Sequence, residues 1–163
     1  RPWKKVDKVP LLKLVNNKKI WNNVRDRLPF PYTDKDADEW LKLNVGIMPA
    51  LNFVIEVDGK FAGSIGMVPG EDVHRCNTEI GYWLGEPYWN KGVTTEAIKQ
   101  MVELIWKDYP EVIRIFANVY EHNIASMKAL QNNNFMLEAI HKKGIIKNNI
   151  LMDEYLWVKL RQV

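Results

Sequence analysis

Cysteine occurs once in the 163 residues, as Cys76, which excludes an internal disulfide and suits a reducing compartment such as the cytoplasm. No apolar run approaches the roughly 18 residues that span a bilayer, and no leader pattern opens the chain, so no membrane association is expected. Lysine and arginine are scattered and never form a block, and the net charge is only +3, which argues against a nucleic-acid partner. His74, His122 and His141 lack metal-ligand spacing, so they are expected at the surface and no metal is expected. Cys76 has no histidine spaced to serve as its base, which disfavours a cysteine nucleophile. No repeat, low-complexity tract or linker interrupts the sequence, and residues 1–163 read as one domain. The chain opens at Arg1, not at a methionine, so native residues are expected to precede it.

What is present is enough for a buried core: 47% hydrophobic and 26% charged residues, with seven tryptophans. Apolar spacing predicts a short helix over Asp7 to Val15, ending at Asn16-Asn17, and a turn or helix through Ile20 and Val24. Two prolines keep Leu28 to Tyr32 out of helix, and Thr33 caps a helix to about Leu43 with Asp36 in its first turn. Asn52 to Val57, Asp58-Gly59 and Lys60 to Val68 read as a hairpin. Thr78 to Leu84 is a strand in which Ile80, Tyr82 and Leu84 alternate with Glu79, Gly81 and Trp83. Val93 to about Trp106 keeps helical spacing through Val93, Ala97, Ile98, Met101, Val102, Ile105 and Trp106. Arg114 to Val119 reads as a strand, Asn123 to Asn132 as a helix, and Phe135 to Ile145 with Ile150 to Val158 as a closing strand pair. Helices on a mainly antiparallel sheet, with two middle strands flanking one long helix, make an α/β (α+β) domain of mixed topology.

The informative stretch runs from Gly81 to Ala97, where a strand enters a polar turn containing glycine and the turn opens an amphipathic helix. Such a junction exposes free backbone N–H groups at the positive end of a helix dipole, a site suited to phosphate. Gly92 allows close backbone approach, and Lys91 adds positive charge. Many helices also start after a glycine with no ligand at all.

Within this stretch, Trp89-Asn90-Lys91-Gly92-Val93-Thr94 resembles the pyrophosphate loop, Arg/Gln-x-x-Gly-x-Gly/Ala, of the GNAT acetyltransferases. The flanking Glu79-Ile80-Gly81-Tyr82-Trp83-Leu84 and Thr95-Glu96-Ala97 are similar to the RimJ/RimL-like branch, which includes ribosomal-protein N-terminal acetyltransferases. Asn123-Ile124-Ala125-Ser126, Leu130 and Asn134-Phe135 are similar to that branch's Asn-x-x-Ser helix and its Gly-Phe exit. Arg1-Pro2-Trp3, Arg25-Asp26 and Pro29 to Thr33 resemble its first strand and acceptor-side loop, so the resemblance covers nearly the whole chain. Trp89 and Thr94 depart from the loop pattern, and Asn134 replaces a glycine while still tolerating a left-handed backbone.

The resemblance implies a GNAT fold whose middle strands splay, with acetyl-CoA as co-substrate and direct attack of a bound amine on the thioester. It places the pyrophosphate over Trp89, Asn90, Lys91, Gly92, Val93, Thr94 and Thr95, and the pantetheine along Tyr82, Trp83 and Leu84. Glu79 is the favoured base or water relay, and otherwise a solvated strand carboxylate. Asn118 holds a water, binds pantetheine, or simply pairs within the structure, while Asn123 caps its helix and touches the cofactor. Ser126 matches the family serine near the cofactor sulfur, a proton donor to the thiolate or an ordinary helix serine. Leu130 occupies the place of the tyrosine acid found outside this branch, and Ile145 that of a glutamate of the ribosomal enzymes. Phe30, Tyr32 and Trp83 are candidates to line an acceptor pocket, with core packing as the alternative.

The acceptor is expected to be an α-amine, on a protein N-terminus or a small amino compound. At pH 7 deprotonation costs roughly 1.4 kcal/mol for an α-amine and about 4.6 for a lysine side chain. Asp34, Asp36, Asp38 and Glu39 read as a helix N-terminal turn, not as a polyamine site. The enzyme is expected as a monomer or homodimer. The rival reading is a CoA-binding regulatory protein that keeps the fold and little catalysis.

Overall fold

Thr33 shows how locally the sequence writes its elements. In this computed structural model, which describes residues 1–162, its side chain accepts from Asp36 N–H while Asp36 accepts from Thr33 N–H at 2.7 Å. That reciprocal cap starts α3 (Asp34–Asn44), as its sequence predicts. The other helices are α1 (Lys8–Val15), α2 (Lys18–Trp21), α4 (Val93–Asp108) and α5 (Ile124–Gln131). The strands are β1 (Asn52–Val57), β2 (Lys60–Pro69), β3 (Asn77–Leu84), β4 (Arg114–Tyr120), β5 (Met136–Lys147) and β6 (Ile150–Leu160). They form one six-stranded sheet in the order β1-β2-β3-β4-β6-β5, flanked by helices, a mixed α/β fold. β1–β2, β4–β6 and β5–β6 pair antiparallel and β3–β4 parallel.

The chain divides into two compact units, each built from two stretches of sequence. The first comprises Arg1–Gly66 and Tyr82–Val93. Trp3, Leu11, Val15, Tyr32, Ala37, Leu41, Val54 and Phe61 form its buried core, with Trp3 edge-on to Trp40 at 5.7 Å. The β1–β2 hairpin turns on Asp58 and Gly59, both at positive φ, the conformation that matches the twist of its strands. Leu28 to Tyr32 is not helical. The first strand implied at Arg1-Pro2-Trp3 is not there: the segment makes one bridge, Pro2 to Phe53, and Arg1 O accepts from Val54 N–H at 2.8 Å. Proline has no N–H with which to continue a ladder. The chain then enters a 3₁₀ turn at Lys5–Asp7, held by the buried Asp7. The carboxylate of Asp7 accepts both arms of the Arg1 guanidinium, at 2.8 and 3.0 Å, and Lys4 N–H at 2.7 Å.

The second unit comprises Met67–Gly81 and the chain from Thr94 onward. Ile98, Met101, Val102 and Ile105 of α4 are buried, the spacing of one helical face. Arg161 Nη2 donates to Trp106 O at 2.7 Å and Tyr109 O at 3.3 Å, closing the C-terminal end of α4. In β4, buried Ile115, Ala117 and Val119 alternate with half-buried Phe116, Asn118 and Tyr120. Asn148 and Asn149, both at positive φ, turn β5 into β6. β5 is one of the two edge strands, and its register breaks after Leu137 and after His141, irregularities that blunt an exposed edge. Among the described residues no helix is long and apolar enough to cross a membrane. No group of three His, Cys, Asp or Glu side chains among them could hold a metal.

Candidate active site

β3 and β4 pair only from Asn77 to Glu79 and from Arg114 to Phe116, although both strands run on. Ile80 and Gly81 lie past the last residue of β3 that pairs with β4, the feature that splayed middle strands require. At the point of parting, Asn118 Nδ2 donates to Glu79 Oε1 at 3.4 Å. The Asn118 Oδ1 is buried with no hydrogen-bond partner, and a buried acceptor left open is costly unless a ligand or water completes it. Glu79 and Asn118, two of the three candidate catalytic residues, therefore sit together on neighbouring strands.

From Leu84 the chain enters a 3₁₀ turn at Glu86–Tyr88. The Glu86 carboxylate accepts from Asn17 Nδ2 at 2.6 Å and from Lys19, contacts that hold it below the usual carboxylate range. Trp89 Nε1 donates to Leu84 O at 2.7 Å, so its indole staples the turn to the end of β3. Asn90 and Gly92 then take positive φ, 57° and 74°, and α4 begins at Val93. A Cβ at Gly92 would meet nothing within 4 Å, so the backbone angle, not crowding, selects glycine. Left-handed residues just ahead of a helix turn successive N–H groups toward one point, and the first-turn donors of α4 have no intrahelical acceptor. Lys91 Nζ donates to Pro87 O at 2.8 Å and stays exposed beside this turn. Thr94 and Thr95 follow in the first turn, both half-buried.

Asn123 caps α5, its Oδ1 accepting from Ser126 N–H at 3.2 Å, and Ser126 itself is buried. The cap expected of Asn123 is thus formed, and it joins the two residues directly. The acceptor-side candidates divide. Phe30 is exposed and stacks at 5.7 Å on Trp21. Tyr32 lies in the core of the first unit, donating its hydroxyl to Asp36 O at 3.2 Å, and burial pushes its phenol up to about 12. Trp83 packs against that same core, 6.0 Å from the Phe61 ring.

Left-handed residues ahead of a helix, with an exposed lysine beside them, make the Asn90–Thr95 turn suited to an anion. The profile of the acetyltransferase (GNAT) domain matches residues 1–136. The chain belongs to the GNAT acetyltransferase family. It is 34% identical over 71 residues to the probable N-acetyltransferase YjcK of Bacillus subtilis, a match covering 44% of this chain and 36% of that protein. The chain spans between 36% and 51% of the length of the curated relatives it matches. A GNAT acetyltransferase from Bacillus anthracis shares the fold, with a TM-score of 0.82 and 23% identity over 98% of this chain and 92% of that one. RimL, a ribosomal alpha-N-protein acetyltransferase in complex with coenzyme A, superposes with a TM-score of 0.85 and 18% identity over 98% and 92%.

Proposed function

We propose that residues 1–163 act as one catalytic domain of the RimJ/RimL-like branch, carrying an acetyl group from acetyl-CoA to an α-amine. The observation that carries this reading is the junction at Asn90 to Thr95, where two left-handed residues precede a helix with free first-turn donors. Coenzyme A would lie with its pyrophosphate on that turn and its pantetheine along Tyr82, Trp83 and Leu84. When bound, acetyl-CoA supplies an activated thioester carbonyl.

The chain's own residues do the rest. Glu79 takes the proton of the attacking amine, directly or through one water. Asn118, bonded to Glu79, orients that carboxylate and offers its free oxygen to the pantetheine amide or to the relaying water. Ser126, held by the Asn123 cap, gives a proton to the departing sulfur. A base of this kind contributes roughly 10²–10⁴-fold, enough to offset the small deprotonation cost of an α-amine. That balance favours a protein N-terminus or small amino compound over a lysine side chain.

Gly92→Asp tests the loop, because it adds strain and negative charge where the pyrophosphate would sit. Calorimetry should show acetyl-CoA binding lost while circular dichroism shows the fold kept. Unchanged affinity in a folded variant sinks the assignment. The rival reading, a regulatory coenzyme A binder, draws on Trp89: its indole is spent on Leu84, where the family places Arg or Gln. That reading predicts binding without turnover.

A further inference from the structure

Asn133 carries none of the motif's roles, yet it is buried in the turn that ends α5. A primary amide has two N–H donors, and both are used here. One reaches Ala129 O at 2.9 Å, in the last turn of α5, and the other reaches Thr95 O at 3.0 Å, in the first turn of α4. The backbone carbonyl of Asn133 in turn accepts from Lys159 Nζ at 2.6 Å. Lys159 also lies 5.5 Å from the centre of the Trp106 ring, farther along α4. One buried residue, its backbone carbonyl anchored to β6, therefore ties the end of α5 to the start of α4 through its side chain.

We propose that Asn133 is the positioning residue of the pyrophosphate site. It touches no ligand and acts through Thr95. The peptide unit is planar, so fixing Thr95 O also fixes Glu96 N–H on the other side of the same plane. That plane sits where the free donors of the first turn give way to the hydrogen-bonded helix. With it pinned, the N–H groups ahead of it point to one place before the anion arrives, and binding spends less free energy on ordering them. Serine or threonine at this position would supply one donor, and a carboxylate none, so among neutral side chains a primary amide alone joins both helices at once.

The proposal rests on the reading of Asn90 to Thr95 as the pyrophosphate turn, and the experiment separates the two. Coenzyme A and pantetheine, the same thiol arm without pyrophosphate or nucleotide, are titrated by NMR into wild type, Asn133→Leu and Asn133→Ser. The leucine variant should bind coenzyme A about tenfold more weakly and pantetheine within about twofold of wild type. The serine variant, keeping one donor, should lose roughly threefold for coenzyme A alone. If the leucine variant does not fold, the serine variant carries the test by the same comparison. A merely structural role would weaken both ligands together. Equal loss for the two, or loss for neither, overturns the role of Asn133 and leaves the turn assignment standing. Wild type binding pantetheine as tightly as coenzyme A overturns the turn assignment and this proposal with it.

Discussion

The indole N–H of Trp89 donates to the carbonyl of Leu84 at 2.7 Å, so a residue that departs from the family's loop pattern also fastens the loop to β3. Arg or Gln at this position would bring charge or an amide. Trp89 brings a partly buried hydrogen bond and a flat apolar face. Trp89→Phe keeps most of the face and removes the donor. It should lower unfolding free energy by about 1 kcal/mol and weaken coenzyme A several-fold, through a looser turn. Urea denaturation and calorimetry read the two effects separately.

Glu79 and Asn118 should behave as a coupled pair. Glu79→Gln keeps the hydrogen-bonding shape but cannot accept the amine's proton. Its kcat should fall by roughly 10²-fold with little change in coenzyme A affinity. Asn118→Ala should lower kcat too, and the double variant should lose less than the sum of the two effects. Full additivity in a steady-state double-mutant cycle would separate Asn118 from the work of the carboxylate.

Ser126→Ala should lower kcat while the KM for acetyl-CoA stays close to wild type, the signature of an interaction made only in the transition state. The cap is formed with the Ser126 backbone N–H, so alanine leaves it in place. Wild-type kcat, with the chemical step shown to limit the rate, would return Ser126 to a packing role.

Asp7 gives the first unit a pH dependence. Burial alone would push its carboxyl up, but hydrogen bonds from Arg1 and from Lys4 N–H outweigh that and hold it below the ordinary value. The ionised form is therefore favoured in the folded chain. Its stabilisation is complete above the unfolded carboxyl's range and is lost as pH falls through the lower folded value. Asp7→Asn should cost roughly 1–3 kcal/mol at pH 7, and the gap from wild type should narrow as pH falls below the ordinary carboxyl range. Thermal melts of both proteins across an acid pH series measure it.

Much of this architecture was legible because its signals are local. Thr33 with Asp36, Asp58-Gly59, and the apolar spacing from Ile98 to Ile105 each fix an element within one or two turns of chain. Gly92 before α4 was legible for the same reason, since a left-handed residue ahead of a helix has few sequence solutions. Pairings that depend on distant strands were not. Pro2 was placed in a strand only by the family resemblance, and its missing N–H limits it to a single bridge. The irregularities of β5 after Leu137 and His141 leave no composition signal beyond Gly144. Asn133 was passed over because its value lies in a bond to Thr95, 38 residues away. The Glu79–Asn118 contact needed the parallel register of β3 and β4, which only the folded sheet supplies.

The most direct test of the account is acetyl transfer itself. The protein is incubated with acetyl-CoA and a mixture of peptides that carry free N-termini and internal lysines, with small amino compounds in competition. Mass spectrometry then locates the label. Acetyl is expected on α-amino nitrogen, of peptide or small molecule, at a rate that Glu79→Gln cuts by roughly 10²-fold. Preferential acetylation of lysine side chains or of spermidine would contradict the acceptor assignment. Tight acetyl-CoA binding with no acetyl transfer to any amine would contradict the enzyme.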